Sequence, residues 1–217
     1  MTLAPLAIFD LDFTLLEGDS EAIWSRFLYE QHVVDKAFLH RINAFYRDYE
    51  AGRLDFTAYQ AFLLHPLVEQ SPRILQRLRK SYLHRIVDRL RPKMIWQVDR
   101  FKELGYTLVL ITATNHFLAE PIAELLGFRN LICTHIKMRG EEFTHELDGI
   151  PAFQDGKIRL LENWMDRERK TLLGSWGFSD SYNDLPLLNR VEHPVAVCPD
   201  GQLRRYAASR GWEILTI

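Results

Sequence analysis

The segment from Leu3 to Leu16, LAPLAIFDLDFTLL, constrains this chain more than any other. A near-continuous apolar run reads as a strand buried on both faces, the kind found in parallel sheets covered by helices. Here the run Leu3–Phe9 hands over to two acids one residue apart, Asp10 and Asp12. Side chains at i and i+2 of an extended segment point the same way. Both carboxylates should therefore converge at the carboxyl end of the strand, where open α/β sheets collect their ligands. Two like charges so close repel unless a cation lies between them or one is protonated. A hard cation such as Mg²⁺ suits the pair, because it takes oxygen ligands and needs few of them from protein. Taken alone, the pair also reads as a helix cap or a turn.

Three later segments repeat the pattern of an apolar run followed by chemistry. Gly105–Thr112 is a second strand, ending in Thr112-Ala113-Thr114-Asn115. A hydroxyl there can cap a helix, or bond a phosphoryl oxygen together with backbone N–H groups at the helix start. Asp155-Gly156-Lys157 opens a stretch to Arg169 with helical periodicity at Ile158, Leu161, Trp164 and Met165. It offers the Lys157 ammonium, with Arg159 as a nearby competitor. Thr171–Ser179 leads into Asp180-Ser-Tyr-Asn183-Asp184, where Asp180 is either a ligand or a cap.

In this order, DLDFT at 10–14, Thr112, Lys157 and SDSYND at 179–184 resemble the four motifs of the haloacid dehalogenase (HAD) superfamily of phosphohydrolases. Ser179 stands where the family usually carries Gly. The resemblance covers nearly the whole chain and is most specific to the subgroup of phosphoserine and histidinol-phosphate phosphatases. It implies an α/β fold: a three-layer Rossmann-like core with a parallel sheet, formed by residues 1–16 and 91–217. A helical cap, residues 17–90, is inserted after the first strand, and a short β flap precedes the lysine. It also implies an Mg²⁺-dependent phosphatase. Asp10 would be the nucleophile and form an aspartyl phosphate, and Asp12 the general acid and base. Mg²⁺ would be held by Asp10, the Asp12 carbonyl and Asp180. Thr112, Ala113 and Lys157 would bind the phosphoryl group, with Asn183 and Asp184 supporting from behind. A phosphotransferase would carry the same motifs. A non-catalytic binding protein on this scaffold is disfavoured, because Asp12, Lys157 and Asp180 are all retained.

Between Glu17 and Leu90 there is no strong strand signal. Leu75, Leu78, Tyr82, Ile86 and Leu90 instead mark one face of a helix, and Arg91-Pro92 marks the return to the core. Helix 93–104, strand 106–112 and helix 116–126 follow. The β-prone stretch Leu131–Thr144, with a turn at Gly140, reads as the flap. Strands near 171–178, 194–198 and 212–217 alternate with helices at 184–190 and 201–210. The 217 residues suit one catalytic domain with an insertion. A net charge of −2 provides no general attraction to nucleic acid or anionic membranes. No segment reads as a signal peptide or a bilayer span. Two scattered cysteines, Cys133 and Cys198, suit a reducing cytoplasm. The expected partner is a small phosphorylated metabolite, in the cytoplasm.

The cap carries the clue to substrate. In phosphoserine phosphatases a cap Glu nine residues after the nucleophile engages the substrate amino group, and a cap Arg its carboxylate. Here the first position is Asp19, and the second falls near Leu63. A substrate carboxylate would lack its partner unless Arg53 or Arg73 replaced it. An amino-bearing ester such as histidinol phosphate is favoured over phosphoserine. Trp24, Phe27 and Tyr29 read as cap core. The basic stretch 77–93 reads as a solvated face, and His116 is the one histidine expected near the mouth.

Overall fold

The computed structural model describes residues 4–217. Strand β1 (Leu6–Phe9) is buried at every position. From Leu16 the chain leaves the sheet and builds five helices: α1 (Ser20–Glu30), α2 (Lys36–Glu50), α3 (Phe56–Leu63), α4 (His65–Glu69) and α5 (Pro72–Val87). Asp19, Asp35 and Asp55 cap α1, α2 and α3, each accepting a backbone N–H three residues on. The chain returns beside its point of exit. Glu17 N donates to the Arg89 carbonyl at 2.7 Å and Arg91 N to the Leu15 carbonyl at 2.9 Å.

The return leads through α6 (Pro92–Glu103), β2 (Thr107–Asn115), α7 (His116–Leu125) and β3 (Asn130–Thr134) to a hairpin, β4 (Ile136–Arg139) and β5 (Glu142–Leu147). Then come α8 (Asp155–Glu168), β6 (Trp176–Ser179), α9 (Leu185–Leu188), β7 (His193–Val197), α10 (Gly201–Arg210) and β8 (Glu213–Leu215). Six strands form one parallel sheet in the order β3-β2-β1-β6-β7-β8. The order runs outward in both directions from β1, with Phe9 level with Leu110 on one side and Phe178 on the other. The crevice beyond such a switch point is where this architecture binds ligands.

Alternation along β1 splits the core into two layers. Ala7 and Phe9 pack with Met94, Val98 and Phe101 of α6 and with residues of α7. Leu6 and Ile8 face Ile158, Leu161 and Trp164 of α8. The expected three-layer Rossmann-like α/β fold is thus present. Trp24 and Phe27 do belong to a core, one that joins the helical insertion to the sheet: Trp24 meets Tyr82 and Phe117 edge-on at 5.2 and 5.7 Å. A separate cluster of Phe38, Ile42, Phe45, Tyr59 and Leu63 fills the interior of α2 and α3. On α5, Leu75, Leu78, Tyr82 and Ile86 are buried, while Arg77, Lys80 and Arg85 face solvent.

Two of the boundaries that differ from expectation lie around β2 and β3. The stretch 131–144 is not one flap: its first part is β3, paired in parallel with β2 and buried at Ile132, Cys133 and Thr134. The hairpin proper is 136–147, with its turn at Gly140, and β5 packs against α3 and α4. The local β propensity of both parts is alike, and only burial against β2 separates them. The second strand runs three residues past Thr112, to Asn115.

Candidate active site

Beyond Phe9 the chain makes a single wide turn. Leu16 N reaches back to the Leu11 carbonyl at 3.0 Å, and Phe13 takes a left-handed φ of 55°. The turn places Asp10 and Asp12 on one cavity of about 210 Å³ at the carboxyl ends of β1, β2 and β6. Ala113, Lys157, Asp180, Asn183, Asp184 and Asp19 line it too. α2 and α3 close over it, with Tyr49 Oη 3.0 Å from Ser181 Oγ and Phe56 stacked on Phe153 at 4.6 Å.

Lys157 begins α8 behind Gln154, which has a positive φ of 49°. Its Nζ donates to Asp10 Oδ1 and Asp184 Oδ2, both at 2.7 Å, in a buried three-residue network. Ser179, at the Gly position of the fourth motif, donates to Asp184 Oδ2 at 2.7 Å. Burial alone would lower the lysine's pKa, but the two carboxylates outweigh it and hold the ammonium charged. Burial raises Asp10 to about 7, opposed by Lys157 and assisted by repulsion from Asp184 and Asp12. Asp12 accepts Ser20 N at 2.7 Å and the Thr114 hydroxyl at 2.8 Å. Burial, with repulsion from Asp19, lifts it to about 7 as well. A carboxyl group poised there can both give and take a proton near neutral pH.

Among the described residues, the Asp180 carboxylate has no cation within ion-pair distance, and the one side-chain bond to it is a long 3.4 Å one from the Thr14 hydroxyl. Burial and its acidic neighbours Asp10 and Asp184 push its pKa well above the carboxylate range. An uncompensated carboxylate in such a place is costly. Asp10 and Asp180 are therefore a donor set that fits a hard divalent cation. Among the described residues no three His, Cys, Asp or Glu side chains form a cage for a metal.

Other expected residues fall differently. Thr112 is fully buried, one step deeper than Thr114 on the same face of β2. Its hydroxyl donates to Thr114 Oγ1 at 3.1 Å, and the cavity-facing hydroxyl is that of Thr114, because the strand continues to Asn115. Arg159 is exposed and outside the cavity, as are Arg53, paired with Asp48 at 3.0 Å, and Arg73. Leu63 is 1% exposed, within the α2–α3 interior. His116 does not line the cavity. Its Nδ1 accepts Ile136 N at 3.0 Å, its ring stacks on His135, and burial lowers its pKa to about 4. Asp19 both caps α1 and lines the cavity, accepting Ala22 N at 2.7 Å and the Tyr46 hydroxyl at 2.6 Å.

Sequence reasoning missed the rest of the cavity wall. Phe45, Tyr46, Tyr49 and Glu50 of α2, with Leu54, Phe56, Tyr59 and Glu21, line it. The spacing 45, 46, 49, 50 is one helical face and was the available signal. Among the lining residues Lys157 is the one cation, against the carboxylates of residues 10, 12, 19, 21, 50, 180 and 184.

A buried lysine bridging two aspartates at the mouth of a parallel sheet, with another aspartate two residues after the first of them, agrees with the comparison against known families. The haloacid dehalogenase-like hydrolase family matches residues 7–189, and the chain belongs to it. It is an enzyme, a phosphatase of the HAD type. A histidinol-phosphatase of Neisseria meningitidis is 37% identical over 97% of this chain and 97% of its own length. A phosphoserine phosphatase of Mycobacterium tuberculosis is 31% identical over 98% of this chain and 70% of its own. The crystal structure of a protein of unknown function from Bordetella pertussis superposes with a TM-score of 0.91, at 32% identity over 99% of both chains. No helix of the described residues is long and apolar enough to cross a membrane.

Proposed function

We propose that this protein hydrolyses a small phosphomonoester whose alcohol carries an amino group, with histidinol phosphate the leading candidate. One observation carries the reading: the cavity wall away from Lys157 is acidic and aromatic, with Asp19, Glu21, Tyr46 and Tyr59 and no cation to receive a substrate carboxylate. The name of the Neisseria relative supports the same choice. Residues 1–16 and 91–217 act as the catalytic core and 17–90 as the cap that selects the substrate.

Asp10 attacks phosphorus and becomes an aspartyl phosphate, a covalent route open to carboxylates. Asp12 gives its proton to the departing alkoxide, then takes one from the water that releases phosphate. Lys157 and Ala113 hold phosphoryl oxygens, with Thr112 and Thr114 beneath them. Asp184 aims the Lys157 ammonium, and Asn183, bonded to Gln154 at 3.1 Å, steadies the loop before α8. Asp10, the Asp12 carbonyl and Asp180 would hold Mg²⁺, which when bound neutralises charge on the phosphoryl group.

A panel of phosphomonoesters tests this. With Mg²⁺, histidinol phosphate should exceed phosphoserine, phosphoethanolamine and sugar phosphates in kcat/KM, with phosphate released to water without an acceptor alcohol. EDTA should abolish turnover and Mg²⁺ restore it. A clear preference for phosphoserine would overturn the substrate reading. Full activity in thorough chelation would overturn the metal.

A further inference from the structure

Phe13, Tyr49 and Phe153 line the cavity, yet the chemistry above does not use them. They come from three different places: the turn after β1, the last turn of α2 and the loop before α8. Among the described residues they join none of the buried hydrophobic clusters. Other aromatics of the wall differ. Phe45 and Tyr59 are each 6% exposed, meet edge-on at 5.5 Å and belong to the interior of α2 and α3. Phe13 is 46% and Tyr49 36% exposed, and both open into the cavity. Core packing therefore does not account for these rings.

Each ring is also held still from behind. Phe13 sits in the left-handed turn, its N–H donating to the Gly18 carbonyl at 3.0 Å, between fully buried Leu11 and Leu15. The Tyr49 hydroxyl lies 3.0 Å from Ser181 Oγ, and Phe153 lies flat on Phe56 at 4.6 Å. The ring centres of Tyr49 and Phe153 are 6.3 Å apart. Rings fixed in this way lower the entropy lost when a ligand is received. Aromatic walls with a few placed polar groups are the usual lining of small-molecule sites.

What the rings can receive follows from their neighbours. Phe13 follows Asp12, proposed above to protonate the leaving oxygen, Phe153 leads into Lys157, and Tyr49 bonds the residue after Asp180. A phosphoryl group bound at Asp10 and Lys157 therefore directs the alcohol of its ester past all three. Among the described residues, Leu54 and Ala113 are the only aliphatic side chains of the wall, so it offers π-faces rather than a slot for an alkyl chain. Lys157, its one cation, is already paired with Asp10 and Asp184. Flat faces favour a flat partner, and an acidic, aromatic wall favours one that can carry positive charge.

We propose that Phe13, Tyr49 and Phe153 form a collar that stacks a flat heteroaromatic ring joined by a short chain to the ester oxygen, and that Phe13 and Tyr49 are specificity-determining residues. An imidazole ring, flat and able to take a proton, has the required shape and charge. The proposal rests on the phosphomonoester reading above but is independent of the amino group.

Esters that carry ring and amine in every combination separate the two ideas: histidinol phosphate, imidazolylethyl phosphate, phosphoethanolamine and ethyl phosphate. Each is assayed in Mg²⁺ with the wild type, Phe13→Leu, Tyr49→Leu and Tyr49→Phe. The wild type should prefer each ring-bearing ester to its ring-less counterpart. Phe13→Leu and Tyr49→Leu should each cut that advantage roughly two- to tenfold, chiefly through KM, as expected for one lost aromatic pair. Tyr49→Phe, which loses the bond to Ser181 but keeps the ring, should retain the advantage. Calorimetric titration with histidinol should rank the same proteins in the same order. An unchanged advantage in both leucine variants would overturn the collar and leave the substrate reading intact. Equal loss for all esters would make the rings supports of the fold and also overturn it. A wild type that prefers the amine but ignores the ring would overturn the collar alone. One that prefers the ring but ignores the amine would uphold the collar and overturn the amino-bearing substrate.

Discussion

Glu21→Gln should stabilise the metal-free protein, and only above acidic pH. Burial raises the Glu21 carboxyl from 4.5 to about 7. The unfolded chain therefore releases this proton earlier than the folded one. Below about pH 4.5 both states are protonated and the group makes no difference. Between about 4.5 and 7 stability falls with rising pH, by up to about 1.36 kcal/mol per pH unit, and above 7 the loss is complete. Over some 2.5 pH units the loss comes to about 3 kcal/mol. Glutamine has no proton to lose. Its oxygen can still accept from Asn115, and its NH₂ can donate to Gln60 Oε1, which lacks a partner among the described residues, once the Gln60 amide turns over. Urea unfolding of both proteins in EDTA, from pH 4.5 to 8.5, measures the difference. The variant's advantage should grow with pH and level off above 7 near 3 kcal/mol, or roughly 6–12 °C in Tm for a chain of this size. An advantage that does not change with pH would show that Glu21 titrates normally and refute the reasoning.

Asp10→Asn should abolish turnover, and trapping with BeF₃⁻ should mark Asp10 in the wild type; an adduct elsewhere would reassign the nucleophile. Asp12→Asn should slow turnover roughly 10²–10⁴-fold, with substrate binding measured by titration largely retained. Gly156→Ala would place a Cβ 2.0 Å from the Pro151 carbonyl oxygen, a backbone atom that cannot swing aside. Relief must move the start of α8 and with it Lys157, so both Tm and kcat should drop; a variant with unaltered activity would show that the lysine tolerates the shift.

The apolar run before Asp10 was legible as a buried strand, because burial on both faces leaves no polar positions to fill. The helical insertion was legible from the stripe Leu75, Leu78, Tyr82 and Ile86, all of them buried. The division of 131–147 was not. β3 and the β4–β5 hairpin share the same local propensities, and only β2 lying beside Leu131 and Ile132 makes the first part a sheet strand. Thr112 illustrates a finer failure. The end of β2 could be read only to within a few residues, and the three further residues of strand bring Thr114 to the cavity in its place.

The sequence pattern is enough to say which side chains gather at the sheet's mouth. Asp10, Asp12, Lys157, Asp180 and Asp184 each sit next to an apolar run or a helix start. Local patterning alone places them at element ends, and the parallel sheet then gathers those ends together. The opposite wall of the cavity exists only once distant helices have packed. Phe45, Tyr46 and Tyr49 come from α2, Tyr59 from α3 and Glu21 from α1, and they meet because those helices fold down over the core. Glu21 shows why such a wall is hard to read in advance. In sequence it is an acid in the first turn of a helix, where acids are common. Its meaning arises from Gln60 and Asn115, 39 and 94 residues away, which bury it, hold it and leave their own oxygens bare.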